Sequence, residues 1–409
     1  MPLVTGVGVA TDDDAVIAVR AAAAAAREQC PSAVIVLAFV THSYPVSQLP
    51  GVAEAVAEAF PQAQTAGGQV NGITFANQRH DAVFANKRAV AVLAFGGEGV
   101  HGAIALSTSA TERPRETGRV LAKNATERLG VEPVGGIFLG VGLSQMPPVD
   151  QQLLDGIRDA SPRLRLTGSG LCGGMKMDGS YDPGAAFFGR EVVNQGGVLL
   201  AVLGGGIRLG FSAANGMKAM GPGAFITRVE GPEIVELNGR PAKDVVLELL
   251  AGESSELRAM FEKNPQVMCV ERGITLGAAD PEGDFYWSHP PAFFTPRGGV
   301  FDAFAPRVGM GLAVTRIDPV TCMDAVSAAA EMLEEDAGTK EFEFTLAFSC
   351  SLRGFTLGAE IDREDAELAK YVKAHRHLGI VANGEIASYR HGRAMFTGWV
   401  LALFGAASK

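Results

Sequence analysis

The sequence predicts an α+β protein of two domains, in which mixed and largely antiparallel sheets are flanked by helices. Three observations carry this prediction. The chain has 409 residues, which exceeds the usual size of a single domain. Its first half alternates helical and strand patterns, whereas hairpin signals become frequent after residue 185. Its 51 glycines and 21 prolines indicate many tight turns.

The first half opens with a helix and continues as an alternation of strands and helices. Thr11 and the three acids at 12–14 favour a helix N-terminus, and an alanine-rich stretch then carries the helix over residues 16–28 until Pro31. The further elements expected here are a strand at 34–40, a helix near 51–60, a glycine-broken segment at 65–75, a strand at 89–95, a helix at 114–129, a strand at 136–141 and a helix at 150–160.

Turns and hairpins dominate the middle of the chain. Residues 166–184 are rich in turn formers. One hairpin is expected between 185–193 and 197–204, and a second between 225–229 and 234–237, followed by a helix over 242–250. The Gly-Pro-Gly sequence at 221–223 marks the expected boundary, so that the two domains cover residues 1–222 and 223–409.

A late helix is expected over residues 362–378. Acids lie at its start, basic residues lie in its last turns, and Gly379 ends it. At helical spacing His375 continues the apolar stripe that Leu368 begins, whereas His377 faces away from that stripe. The pattern therefore predicts that His375 points into the core.

Charge and cysteine content exclude some classes of function. A formal net charge of -10 argues against a nucleic-acid partner. The five cysteines show no CxxC spacing, which argues against both a disulfide framework and a zinc site. The sequence shows no signal-peptide pattern, and its longest apolar stretches are too short for a membrane span. We therefore expect a cytoplasmic protein without a membrane segment.

Two segments near the C-terminus resemble the FIST family. They read FSCSLRG at residues 348–354 and, beyond a helix, GIVANGEI at residues 379–386. In that family a strand with a cysteine and an arginine precedes a helix and a Gly-x-x-x-x-Gly-Glu-Ile strand entry. Further similarity lies in GMKAMGP, ITR and ELNGRPA, at residues 216–222, 226–228 and 236–242, and more loosely at 66–73 and 168–174. The resemblance covers most of the chain.

The N-terminal half departs from the family pattern at one position. Where the family tends to read GCSTAGEI, this chain reads GGQVNGIT at residues 67–74, so that Ile73 stands where an acid is expected. The pair Asn71-Gly72 matches Asn383-Gly384. This match suggests an internal duplication as a hypothesis.

The resemblance implies a stand-alone intracellular sensory protein that binds a small ligand and signals to a separate output protein. Amino acids are the ligands proposed for the family, and its members often accompany histidine kinases or cyclic-dinucleotide enzymes. Some members of the family are haem proteins that sense nitric oxide. Haem is therefore an alternative cofactor for this chain.

The expected ligand site combines glycine-rich strand ends with a few polar side chains. Arg353 and Glu385 supply a cation and an anion for a ligand that carries a carboxylate and an amine, while an Arg–Glu bridge between two strand ends explains the pair equally well. Cys350 more often packs as a small hydrophobe than reacts. The expected ligand-binding residues are Gly168, Gly170, Gly173, Gly174, Asp178, Lys218, Cys350, Arg353, Gly384 and Glu385.

Two other functions are alternatives to this one. A haem sensor would use His375 or His289 as the axial ligand. A cysteine hydrolase would use Cys350 as nucleophile, His375 as base and Glu385 as orienting acid, and it ranks behind both binding functions. The sequence GSGLCG at 168–173 matches a dinucleotide-binding fingerprint, but no helix pattern follows it. No histidine pair has the spacing of a metal site.

Overall fold

The computed structural model describes residues 3–141, 149–171, 174, 184–194, 196–279, 286–288, 293–301, 306–388 and 393–409. Its main strands and helices form three repeats of one β-α-β-α-β-β unit. A module of shorter strands and helices is inserted into the third repeat.

Repeat one covers residues 4–96. Its first helix begins as the acids at 12–14 predict, because the side chain of Asp14 accepts hydrogen bonds from the backbone N–H groups of Val16 and Ile17. Its elements are β1 (Val4–Ala10), α1 (Ala15–Gln29), β2 (Ala33–Thr41), α2 (Leu49–Ala59), β3 (Gln64–Val70), β4 (Gly72–Phe75), β5 (Gln78–Asp81), α3 (Ala82–Ala85) and β6 (Val90–Gly96).

Repeat two covers residues 100–205. Pro114 stands in the first turn of its first helix, and Gly130 ends that helix in the left-handed conformation. Its elements are β7 (Val100–Ser107), α4 (Pro114–Leu129), β8 (Pro133–Val141), α5 (Asp150–Ala160), β9 (Leu166–Leu171), β10 (Ala186–Phe188), β11 (Glu191–Val193) and β12 (Val198–Gly205).

Repeat three begins with β13 (Ile207–Ala214) and is then interrupted by the inserted module, which covers residues 218–316. The module consists of β14 (Lys218–Ala219), β15 (Ala224–Glu230), β16 (Glu233–Leu237), β17 (Arg240–Pro241), α6 (Ala242–Glu253), α7 (Ser255–Lys263), α8 (Pro265–Arg272), β18 (Ile274–Ala279), β19 (Tyr286–Trp287), β20 (Phe293–Phe294), β21 (Val300–Phe301) and β22 (Gly311–Arg316).

The remainder of repeat three covers residues 319–408. Asp318 caps its first helix, and its side chain accepts a hydrogen bond from the backbone N–H of Thr321. The elements are α9 (Pro319–Ala337), β23 (Glu341–Phe342), β24 (Phe344–Cys350), α10 (Ser351–Leu357), α11 (Asp362–Tyr371), β25 (Lys373–Ala374), β26 (His377–Ser388), β27 (Ala394–Thr397) and β28 (Leu401–Ser408).

The three repeats share one strand order. It reads β1-β6-β2-β3 in the first, β7-β12-β8-β9 in the second and β13-β28-β24-β26 in the third. In each repeat only the last two strands of this order are parallel. The predicted α+β class with mixed, largely antiparallel sheets is confirmed, and the repetition that the Asn-Gly match suggested extends to three units.

Strand pairing also joins the repeats to one another in a closed cycle. After β3, strand β4 pairs with β26 of repeat three. After β9, strand β10 pairs with β3 of repeat one. The second half of β26 pairs with β9 of repeat two. The ends of β3, β9 and β26 consequently lie beside one another.

Apolar packing forms one inner core and three outer layers. Helices α1 and α2, α4 and α5, and α9 and α11 each cover the outer face of their own sheet. The inner faces meet one another, as two ring pairs show. The centroids of Phe39 and Phe348 are 6.3 Å apart, and those of Phe95 and Phe344 are 5.6 Å apart. None of the described helices combines the length and the apolar character that a membrane span requires.

Most local predictions agree with the structure, but two strand predictions were wrong. The segments 185–193 and 197–204 do not pair, because β10 and β11 form their own hairpin while β12 pairs with β7 and β8. Residues 166–171 form β9 rather than turns, since β8 and β26 supply partners for their backbone groups. The predicted boundary at 222 lies inside the inserted module and stays a prediction.

The helix predicted over 362–378 ends early, at Tyr371. Its last predicted turns are strands instead, because β25 pairs with β23 and β26 pairs with β24. His375 is consequently exposed at a turn, and its predicted position on a core-facing helix was wrong. The inward histidine is His377, whose Nδ1 lies 2.9 Å from Thr345 Oγ1 and whose pKa burial lowers to about 4.

Candidate functional site

A bulge in β26 sets the direction of two polar side chains. Asn383 stands opposite Gly170 and Glu385 stands opposite Ser169, so that Gly384 is an extra residue between them. Gly384 has a φ of 72°, a conformation that favours glycine. Because Asn383 and Glu385 occupy successive positions of the ladder, their side chains point to opposite faces of the sheet.

On one face, Asn383 joins repeats one and three. Its Oδ1 accepts a hydrogen bond of 2.7 Å from Nδ2 of Asn71 and one of 2.5 Å from Oγ of Ser351. All three side chains are buried. Asn71 and Asn383 are the two asparagines whose similar surroundings in the sequence suggested a duplication. The structure brings them into direct contact at the meeting point of the strand ends.

On the other face, Glu385 is a carboxyl group with no solvent exposure. Neither of its oxygens makes a well-aligned hydrogen bond within the described part of the chain, although the Cys350 thiol and the backbone N–H of Val400 lie close to it. Burial raises its pKa well above the usual range, while the Cys350 thiol, the Arg353 guanidinium and the Val400 N–H act in the opposite direction. Glu385 is therefore a buried acid whose charged form is disfavoured.

Three buried residues that carry hydroxyl groups lie near Glu385. Ser169 of β9 and Thr397 of β27 stand directly opposite Glu385, one on each side, so that the three side chains share a face. Thr397 Oγ1 donates a hydrogen bond to the backbone oxygen of Ser288. The hydroxyl oxygens of Ser169 and Ser288 have no hydrogen-bond partner among the described residues. We call Ser169, Ser288, Cys350 and Glu385 the buried carboxyl site.

Cys350 ends β24 beside Glu385. Burial and the Glu385 carboxyl raise the pKa of its thiol well above the usual value. A thiol with a raised pKa is a poor nucleophile at neutral pH, because the thiolate is the reactive form. The four cysteines that the structure describes are all buried and free.

Arg353 is fully buried, and its guanidinium is bound by protein groups on every side. Its Nε lies 2.6 Å from Glu364 of α11, while Nη1 and Nη2 donate to the backbone oxygens of Trp399 and Cys322. The Arg–Glu bridge that the sequence suggested therefore exists, but its acid is Glu364 rather than Glu385. A direct contact of Arg353 with a ligand stays a prediction.

The structure gathers part of the predicted site and separates the rest. Gly168, Gly170, Cys350, Gly384 and Glu385 lie together where β9, β24 and β26 meet. Lys218 is exposed in the inserted module, and Gly174 lies against the ring of His42. Gly173, Asp178 and the alternative haem ligand His289 lie outside the described residues.

The proposed hydrolase set is only partly assembled. Cys350 and Glu385 are neighbours, whereas His375 is exposed at the turn before β26. Within the described ranges, no three or more His, Cys, Asp or Glu side chains form a group that could hold a metal ion. The residues that sequence reasoning missed are Ser169, Ser288 and Glu364. Ser169 lies inside the glycine-rich motif and could have been found there, but the other two are brought in by distant segments.

Two family models match most of the chain. The profile of the FIST N domain matches residues 34–240, and that of the FIST C domain matches residues 242–388. No curated protein matches the sequence.

Solved structures give weak matches. The chain is similar to a cyanuric acid hydrolase from A. caulinodans, with 10% identity, a TM-score of 0.41 and coverage of 100% of both chains. It is also similar to PurLQS from Thermotoga maritima, with 11% identity and a TM-score of 0.24, covering 99% of this chain and 73% of that chain. At such low TM-scores, these similarities support no conclusion about the function of this chain.

Proposed function

The chain belongs to the FIST family, whose domains are small-ligand sensory modules, and from this premise we propose that its buried carboxyl site binds the amine end of a small ligand such as an amino acid. Binding is signalled to a separate output protein.

The observation that carries this proposal is the Glu385 carboxyl, which is fully buried and makes no well-aligned hydrogen bond among the described residues. A buried polar group without a partner costs about 1–3 kcal/mol, and more when it is charged. Native proteins rarely leave such groups unpaired, so an unpaired one indicates a missing water, ion or ligand. An ammonium group offers three N–H donors and stabilises the ionised carboxylate. A ligand ammonium therefore supplies the well-aligned hydrogen-bond donors that the described residues do not offer Glu385.

The neighbouring hydroxyls support a ligand with a second polar group. Ser169 and Ser288 each carry a buried oxygen without a hydrogen bond in the described part of the chain, and each hydroxyl can donate as well as accept. A carboxylate on the ligand can accept from both. Arg353 is already engaged by Glu364 and by backbone oxygens, so its role here is to hold α11 against β24.

The position of the site supports a signalling role. Ser169 belongs to repeat two, Cys350 and Glu385 belong to repeat three, and Ser288 belongs to the inserted module. A ligand that contacts all of them stabilises one arrangement of the module against the repeats. A ligand can signal to a partner only if it binds one arrangement more tightly than the other. A histidine kinase or a cyclic-dinucleotide enzyme in the cytoplasm is the partner that we propose.

The haem and hydrolase alternatives lack a comparable observation. His375 is exposed rather than core-facing, and the pKa of Cys350 is raised rather than lowered. Both alternatives stay predictions, haem binding from the resemblance and the hydrolase from the residue types alone.

Titration calorimetry with the individual proteinogenic amino acids tests the proposal. The native protein should bind at least one of them, and Glu385→Gln should weaken that binding about tenfold to a hundredfold, because a hydrogen bond to a charged group is worth about 1.5–3 kcal/mol. Since Glu385 makes no well-aligned hydrogen bond within the part of the chain that the structure describes, the variant should melt no lower than the native protein. Glu364→Gln is the matched control, since it breaks the Arg353 ion pair and should lower the melting temperature. Equal affinities of the native protein and Glu385→Gln would contradict the proposal.

A further inference from the structure

A cavity of about 400 Å³ lies away from the buried carboxyl site. One wall comes from β5, α3 and the residues that follow α3 in repeat one. The other wall comes from α10 and the start of α11 in repeat three. We call this cavity the hairpin pocket. Its volume is within the range of small-molecule binding sites.

The apolar part of the hairpin pocket is aromatic. The rings of Phe84 and Phe355 pack edge to face, with centroids 4.8 Å apart. Phe84 is 49% exposed, which is unusual for a phenylalanine. Gly354 permits the close approach of Phe84, because a Cβ at position 354 would lie 2.7 Å from its ring. The pocket therefore offers exposed aromatic surface to a ligand.

The charged residues of the pocket divide into a paired and an unpaired set. Arg79 forms ion pairs with Asp81 at 3.1 Å and with Asp365 at 3.9 Å. Lys87 Nζ donates to the backbone oxygen of Arg79, and no described carboxylate forms an ion pair with it. Asp362 likewise has no ion pair with any cation in the described part of the chain. Among the described residues, the pocket thus holds one positive and one negative side chain that form no ion pair.

We propose that the hairpin pocket is a second ligand site, which takes a small zwitterion with an aromatic side chain. Its carboxylate lies at Lys87, its ammonium lies at Asp362, and its ring packs on Phe84 and Phe355. The site is separate from the buried carboxyl site and does not depend on the function proposed for it. The helix α10 connects the two, since it directly follows Cys350 and its residues Gly354 and Phe355 line the pocket.

Calorimetry with L-phenylalanine tests this site. Phe84→Ala should weaken binding about tenfold through the loss of ring packing. Lys87→Gln and Asp362→Asn should each weaken it about threefold, because exposed ion pairs are individually modest. Arg88→Gln and Glu360→Gln are matched controls, since both residues are exposed neighbours that do not line the pocket, and they should leave the affinity unchanged.

Two derivatives of L-phenylalanine test the two charged contacts separately. N-acetyl-L-phenylalanine lacks the ammonium and should bind the native protein and Asp362→Asn equally. L-phenylalanine amide lacks the carboxylate and should bind the native protein and Lys87→Gln equally. The proposal is overturned if L-phenylalanine fails to bind at millimolar concentration, or if the pocket variants bind it as well as the native protein. Loss of L-phenylalanine binding in Glu385→Gln would also overturn it, because the probe would then occupy the buried carboxyl site.

Discussion

At the scale of single residues, Asp150 is a second acid whose burial has a measurable consequence. It stands in the first turn of α5 with 1% exposure, and neither of its oxygens has a hydrogen-bond partner among the described residues. Burial raises its pKa from 3.8 to about 7. The folded protein therefore binds more protons than the unfolded chain between about pH 4 and pH 7.

The contribution of Asp150 to the free energy of unfolding therefore falls as the pH rises through this window. Asp150→Asn should remove this contribution, up to about 4 kcal/mol, since each pKa unit corresponds to about 1.4 kcal/mol. Urea unfolding of both proteins from about pH 4 to pH 8 measures the difference in slope. Asp159→Asn is the control on the same helix, because Arg115 and Arg119 hold the pKa of that exposed acid at about 2. Equal slopes for native protein and Asp150→Asn would contradict the assignment.

The sequence predicted individual site residues correctly where they belong to a recognisable motif. Cys350, Gly384 and Glu385 were expected at one site, and the structure places them together. The acid partner of Arg353 could not be predicted, because the contact with Glu364 depends on how α11 turns against β24. Likewise, Ser288 reaches the site through the inserted module.

At the scale of elements, helices were easier to predict than strand pairing. The predicted helices at 16–28, 114–129 and 150–160 agree closely with α1, α4 and α5, because caps and apolar spacing are local signals. The partner of β12 and the early end of α11 are set by strands that are distant in sequence. Local patterns contain no information on such pairs.

The bulge of β26 gives a prediction at this scale. Gly384→Ala should destabilise the protein by about 2–5 kcal/mol, because alanine is strained at a φ of 72° and its Cβ would lie 2.3 Å from the ring of Phe396. Gly239→Ala is the matched control, since its φ is 73° but nothing lies within 4 Å of the added Cβ. It should cost only about 1–2 kcal/mol.

Urea unfolding of the two glycine variants measures both values. The difference between them isolates the contact with Phe396 from the backbone strain that both share. Equal destabilisation would show that the ring moves aside without cost.

At the scale of the whole molecule, the closed cycle of strand pairing predicts a single cooperative unit. The inserted module is part of it, because Cys269 of α8 packs in one cluster with Cys350 and Trp399 of repeat three. The chain has two tryptophans, Trp287 in the module and Trp399 in repeat three. Trp399→Phe and Trp287→Phe therefore give one fluorescent reporter for each part.

Both single-tryptophan proteins should unfold in urea with transitions that coincide with the loss of circular dichroism of the same variant. Their fluorescence and circular dichroism should thus report one event. A module transition at lower urea than the circular-dichroism transition would instead show that the inserted module unfolds on its own.

The central claim is that Glu385 holds the amine of a small ligand, and the contents of the purified protein test it most directly. Native protein and Glu385→Gln are purified in parallel and denatured, and the released small molecules are identified by mass spectrometry after an absorption spectrum of each sample. We predict an amine-containing molecule near one equivalent from the native protein and at least tenfold less from Glu385→Gln. Equal release from both proteins, or a strong Soret band from bound haem, would contradict the account.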